Sequence, residues 1–116
     1  DILVKLSQLG CSRPVLTGVR LDDRRHGAAA YDSQSGQFYF SFRDNINRIM
    51  HGTGDIFASV FTGAVTLGKS LEQSLEMAVG FTYDCITETL PVADEVWYGS
   101  CFESCLGKLI AYVNEK

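Results

Sequence analysis

Among the residues of this 116-residue chain, Gly52-Thr53-Gly54-Asp55 are the ones whose types and spacing could do chemistry. They stand where a loop becomes an apolar helix: Ile56, Phe57, Val60, Phe61, Ala64 and Val65 follow at helical spacing until Gly68 stops the run. The first backbone N–H groups of such a helix have no partner within it and can bind an anion. Two glycines let the backbone come close to a phosphate, and the helix dipole places partial positive charge where negative charge develops in phosphoryl transfer. Asp55 falls in the first turn, where its carboxylate can orient an entering hydroxyl and take its proton. The same four residues also suit a plain turn with an aspartate helix cap, so the motif in isolation leaves both readings open.

The surrounding pattern alternates helix and strand. Ile2, Leu3, Leu6 and Leu9 fall at helical spacing and Gly10 ends the run, which reads as the end of a helix already under way. Pro14-Val15-Leu16-Thr17-Gly18-Val19 is rich in branched apolar residues and predicts a buried strand of a parallel sheet running into a glycine turn. Gly27 to Tyr31 and Gln37 to Arg43 predict two strands joined by the turn Asp32-Ser33-Gln34-Ser35-Gly36. In the second, Phe38, Phe40 and Phe42 share one face and Tyr39, Ser41 and Arg43 the other, as in a strand with one side on the core. After Gly68, Ser70 and Gln73 have the spacing of a capping box, and Leu71, Leu75, Ala78, Val79 and Ile86 form the buried stripe of a second helix that Pro91 ends. The aromatic stretch Trp97-Tyr98 is expected to pack back on the core, followed by a short amphipathic helix through Leu106, Leu109 and Ile110.

Bulk properties narrow the function. The length suits one domain, and 46% hydrophobic with 21% charged residues reads as globular. No apolar run is long enough to cross a bilayer, and the opening residues lack the layout of a signal peptide, so a cytoplasmic setting and no membrane partner are expected. A net charge of -4 argues against nucleic acid as a partner, and the one basic cluster, Arg24-Arg25-His26, follows Asp22-Asp23 as in a solvated turn of mixed charge. Cys11, Cys85, Cys101 and Cys105 lack the paired spacing of a zinc site and read as small buried hydrophobes; no metal ligand is assigned in the chain.

The run His51-Gly52-Thr53-Gly54-Asp55-Ile56-Phe57-Ala58-Ser59 closely resembles the anion hole and following helix of bacterial pyridoxamine/pyridoxal kinases of the ribokinase-like superfamily. Val15-Leu16-Thr17-Gly18-Val19, Gly27-Ala28-Ala29-Ala30-Tyr31-Asp32, Ser70-Leu71-Glu72, Phe81-Thr82-Tyr83-Asp84-Cys85-Ile86 and Trp97-Tyr98-Gly99 are similar to further parts of that family, in its order. Thr53 with Asp55 favours the vitamin B6 branch: many sugar and nucleoside kinases of the superfamily carry Ala at the position of Thr53, and hydroxymethylpyrimidine phosphate kinases typically carry Cys at that of Asp55.

The resemblance implies a partial ribokinase-like α/β fold: a parallel-sheet strand plus a β-hairpin with packing helices, forming the carboxy-terminal ATP-binding portion of one kinase domain over residues 1–116. It also implies that Asp55 is the base, that Gly52, Thr53 and Gly54 form the anion hole, and that Thr17 and Gly18 meet the ATP phosphates. Arg48, Met50 and His51 would line the nucleotide. ATP, Mg2+ and a vitamin B6 vitamer are the implied ligands. The family's substrate pocket and magnesium ligands lie in an amino-terminal half that this chain lacks, so the chain alone is expected to be inactive and, with a cut sheet, able to form a homodimer. Two alternatives stay open: a hydroxymethylpyrimidine or sugar-type kinase of the same fold, or a non-catalytic nucleotide-binding or dimerisation module.

Overall fold

The computed structural model describes residues 1–46, 52–95 and 99–115. In order, it contains α1 (Ile2–Gln8), β1 (Val15–Arg20), β2 (Arg25–Asp32), β3 (Gln37–Asp44), α2 (Thr53–Thr66), α3 (Leu71–Thr89) and α4 (Leu106–Asn114), with short 3-10 turns at Leu90–Val92 and Glu103–Cys105. None of the described helices is long and apolar enough to cross a membrane.

Local signals in the chain set most helix ends. Ser70 accepts from the Gln73 amide at 3.1 Å while Gln73 Oε1 accepts from the Ser70 amide at 3.0 Å, so the capping box at the start of α3 is complete. At the end of α2, Gly68 takes φ +88°; its amide donates to Val65 O and that of Lys69 to Ala64 O, both at 3.0 Å, the paired bonds of a Schellman closure. In α1, the Asp1 carboxylate accepts from the Leu3 amide at 3.0 Å at the N-cap position. Pro91 lies inside the 3-10 turn that follows α3.

The α/β class holds, but the expected parallel strand is antiparallel. The described strands form one sheet in the order β1-β2-β3, with both neighbouring pairs antiparallel. The physical reason is the connection. Only Leu21 to Arg24 separate β1 from β2, whereas a parallel pair needs a crossover of a dozen or more residues. Asp22 closes this turn, its Oδ1 accepting from the amides of Arg24 at 2.8 Å and Arg25 at 2.9 Å. Nor is β1 a buried strand: Val15, Leu16 and Val19 are half-buried, Thr17 and Gly18 are exposed, and the register breaks between Leu16 and Val19.

Two apolar clusters fix the helices. Ala28 and Ala30 of β2 pack with Leu71, Leu75 and Val79 of α3, and Tyr39 of β3 joins them. Val60 and Ala64 of α2 meet Met77, Ala78, Phe81 and Cys85 of α3, with Cys105 closing the cluster. Small alanines on the strand let the helix lie close, and dispersion contacts grow with that closeness. Ser41, on the side of β3 that faces α3, is buried, while Phe40 on the opposite side is 60% exposed. Of the α4 residues expected to face inward, only Leu109 does so; Leu106 and Ile110 are exposed, and Tyr112 packs inward in their place. Ile86, expected in the buried stripe of α3, is half-buried. Trp97 and Tyr98 lie outside the described residues.

Candidate nucleotide cleft

The start of α2 has an unusual cap. Gly52 holds φ +86° at the N-cap position, with no atom within 4 Å of where a Cβ would stand. No side chain caps the helix there, and the first intrahelical bond runs from the Ile56 amide to Gly52 O at 3.0 Å. The amides ahead of Ile56 are therefore left to meet a ligand or solvent. A left-handed N-cap favours glycine because a Cβ would crowd the backbone whatever the surrounding space.

In front of this helix start lies a cleft of about 290 Å³. Thr53, Gly54 and Phe57 of α2 form one side and Thr17 and Gly18 of β1 another; Val79, Thr82, Tyr83 and Ile86 of α3 provide a third wall. His26 and Gly27 from the start of β2 and Arg43 from the end of β3 complete it. Thr17 and Gly18, distant in sequence from Thr53 and Gly54, thus border one space. Gly18 can turn there because it adopts φ +67°.

Asp55 sits in the first turn of α2 with its side chain exposed, outside the walls of the cleft, and Gly52 is exposed just before it. Arg48, Met50 and His51 lie outside the described residues. Among the described residues, no group of three or more His, Cys, Asp or Glu side chains converges as a metal site would.

Several cleft residues had no functional signal in the sequence. His26, grouped there with a solvated turn, is half-buried. The reason is that β2 begins at Arg25, which makes His26 a strand residue in register with Arg43. Gly27 permits the close approach of β3, since a Cβ there would stand 1.9 Å from Ser41 O. Arg43 is fixed rather than free: Nη2 donates to Glu76 Oε1, and Nη1 donates to Phe42 O at 3.0 Å and reaches Ser41 Oγ at 3.4 Å. Burial alone would push the Glu76 carboxyl up, but hydrogen bonds from Ser41 and Arg43 and the guanidinium charge outweigh it and hold the group below the ordinary glutamate value.

The model of the phosphomethylpyrimidine kinase family matches residues 1–98. No curated protein matches the chain at a significant level. Among solved structures, a Bacteroides thetaiotaomicron protein assigned as a phosphomethylpyrimidine kinase is 29% identical with a TM-score of 0.73, over 77% of this chain and 31% of its own. The same protein in an orthorhombic crystal form with pyridoxal is 25% identical with a TM-score of 0.72, over 97% of this chain and 39% of its own. Pyridoxal kinase from Lactobacillus plantarum shares the fold at a TM-score of 0.77 and 24% identity, over 96% of this chain and 41% of its own. This chain thus spans well under half the length of each of these relatives. With the family model covering most of its residues and the ribokinase-like fold shared throughout, the chain belongs to the phosphomethylpyrimidine kinase family.

Proposed function

We propose that this chain supplies the ATP-binding side of a kinase that phosphorylates the 5'-hydroxymethyl group of pyridoxamine, pyridoxal or pyridoxine, in vitamin B6 salvage in the cytoplasm. The observation that carries this reading is the cleft itself. Thr17 and Gly18 border the same space as Thr53 and Gly54 at an uncapped helix start, with Asp55 one residue beyond.

In this reading the phosphates lie against the amides of Thr53 and Gly54, with Gly52 setting the approach and Thr17 and Gly18 on the facing wall. Oriented N–H groups stabilise charge on the transferring phosphoryl without reorganising during the reaction. The apolar walls Phe57, Val79 and Ile86 take the nucleoside end and exclude water. Asp55 accepts the proton of the substrate hydroxyl as its oxygen bonds to the γ-phosphorus and the bond from phosphorus to the ADP oxygen breaks. Arg48, Met50 and His51, adjacent in sequence to the anion hole, are assigned to the nucleotide. Magnesium would be held by groups outside this chain.

Asp55→Asn in the full-length protein, assayed with pyridoxal, ATP and magnesium, tests the base. A fall in kcat of about 100-fold or more is expected, the usual contribution of a positioned general base. Turnover near wild type would reject the assignment. The 116-residue chain alone is expected to phosphorylate pyridoxal poorly, because it spans 41% of the Lactobacillus plantarum pyridoxal kinase.

A second reading, phosphorylation of a hydroxymethylpyrimidine, is supported by the description of the matching family. The carboxylate at Asp55 and the pyridoxal in the Bacteroides crystal form support the first. The ratio of kcat/KM for pyridoxal and for hydroxymethylpyrimidine decides between them.

A further inference from the structure

Two polar atoms on the cleft-lining residues have no protein partner. His26 Nδ1 and Thr82 Oγ1 are buried and unpaired among the described residues, and both residues line the cleft. Buried polar groups are nearly always hydrogen-bonded, because losing water without a replacement costs free energy.

Thr82 departs from the other threonines of its helix. Thr87 donates to Tyr83 O at 2.9 Å and Thr89 to Cys85 O at 2.6 Å, as Thr66 of α2 does to Thr62 O at 2.7 Å. That bond to the carbonyl four residues back is the usual recourse of a helical hydroxyl. Thr82 does not take it. His26 likewise has a cross-strand neighbour in Arg43, but that guanidinium is already committed to Glu76, Phe42 O and Ser41.

The space beside them is flanked by Phe57, Val79 and Ile86. A slot with apolar sides and a few polar atoms suits a flat heterocycle whose edge carries donors and acceptors. Hydroxyl and imidazole can each donate or accept, and each reorients toward a ligand by one side-chain torsion. We propose that His26 and Thr82 hydrogen-bond the edge of the base of a nucleoside triphosphate and so select the base. This inference rests on the reading of the cleft as the nucleotide site.

Calorimetric titration of the chain with ATP, and separately with inorganic tripolyphosphate, tests it. Thr82→Val and His26→Phe are each expected to weaken ATP binding about five- to tenfold, the effect of one lost hydrogen bond, while tripolyphosphate affinity stays within about twofold. Thermal melts establish that the variants fold, and the near-isosteric Thr82→Val decides the matter if His26→Phe does not. The inference is overturned if Thr82→Val binds ATP as tightly as wild type, or weakens both ligands equally. It is also overturned if wild type binds tripolyphosphate as well as ATP, an outcome that leaves the phosphate end of the cleft standing. Wild type binding neither ligand would remove the nucleotide reading of the cleft itself.

Discussion

Ser41 of β3 donates its hydroxyl to Glu76 Oε2 of α3 at 2.5 Å, and Arg43 two residues on reaches the other oxygen of the same carboxylate. This contact ties the covered side of β3 to the helix. It also stretches Arg43 along the wall of the cleft, so the scaffold and the candidate site share one polar contact.

Replacing Glu76 by Gln is expected to destabilise the chain by about 1 kcal/mol at neutral pH, a modest value because the pair is partly exposed. Its folded pKa is held below the ordinary value of 4.5, so the contribution is full above that value and disappears as pH falls through the lower folded one. Urea unfolding of wild type and Glu76→Gln should therefore differ at pH 7 and converge toward pH 3. A constant difference across that range would mean that the carboxylate charge is irrelevant.

Gly27→Ala should be severely destabilising. The added methyl would stand 1.9 Å from Ser41 O, a backbone atom that cannot yield without parting β2 from β3. A loss of about 3 kcal/mol is expected from overpacking, read as a lowered midpoint in urea.

Gly52 and Gly63 make a contrasting pair in the same helix. Neither has an atom within 4 Å of a new Cβ, but Gly52 has φ +86° and Gly63 lies within Thr53–Thr66 with no positive φ. Gly52→Ala should cost about 1 to 2 kcal/mol through backbone strain. Gly63→Ala should stabilise by about 0.8 to 1 kcal/mol through helix propensity. Thermal melts of the two variants should move in opposite directions.

Thiol labelling should separate the cysteines. Burial first, and then neighbouring Cys105, push the Cys85 thiol up to about 12, whereas Cys11 is exposed. Since the thiolate is the reactive form, iodoacetamide at pH 8 should modify Cys11 quickly and leave Cys85 unmodified in the folded chain. Peptide mass spectrometry reads both sites, and rapid labelling of Cys85 would contradict its burial.

What the sequence determined on its own is the local order. The glycine stops at Gly10 and Gly68, the Ser70–Gln73 capping box, the hairpin turn before Gln37 and the apolar spacing of α2 and α3 all depend on residues within a few positions of one another. Each stands in the structure. Other features depended on partners distant in the chain. Alternation along β3 defined two faces without saying which would be covered, and packing against α3 covered the side of Tyr39 and Ser41. The branched residues of β1 predicted a strand of a parallel sheet, whereas the short connection to β2 makes that pair antiparallel. For the candidate site, Gly52 and Gly54 were readable because they sit together, whereas His26, Arg43 and Thr82 came to line one cleft with Thr17 and Thr53 only when helix and sheet packed. Propensity acts over a few residues and burial over the whole molecule, and the walls of a cleft are made by burial.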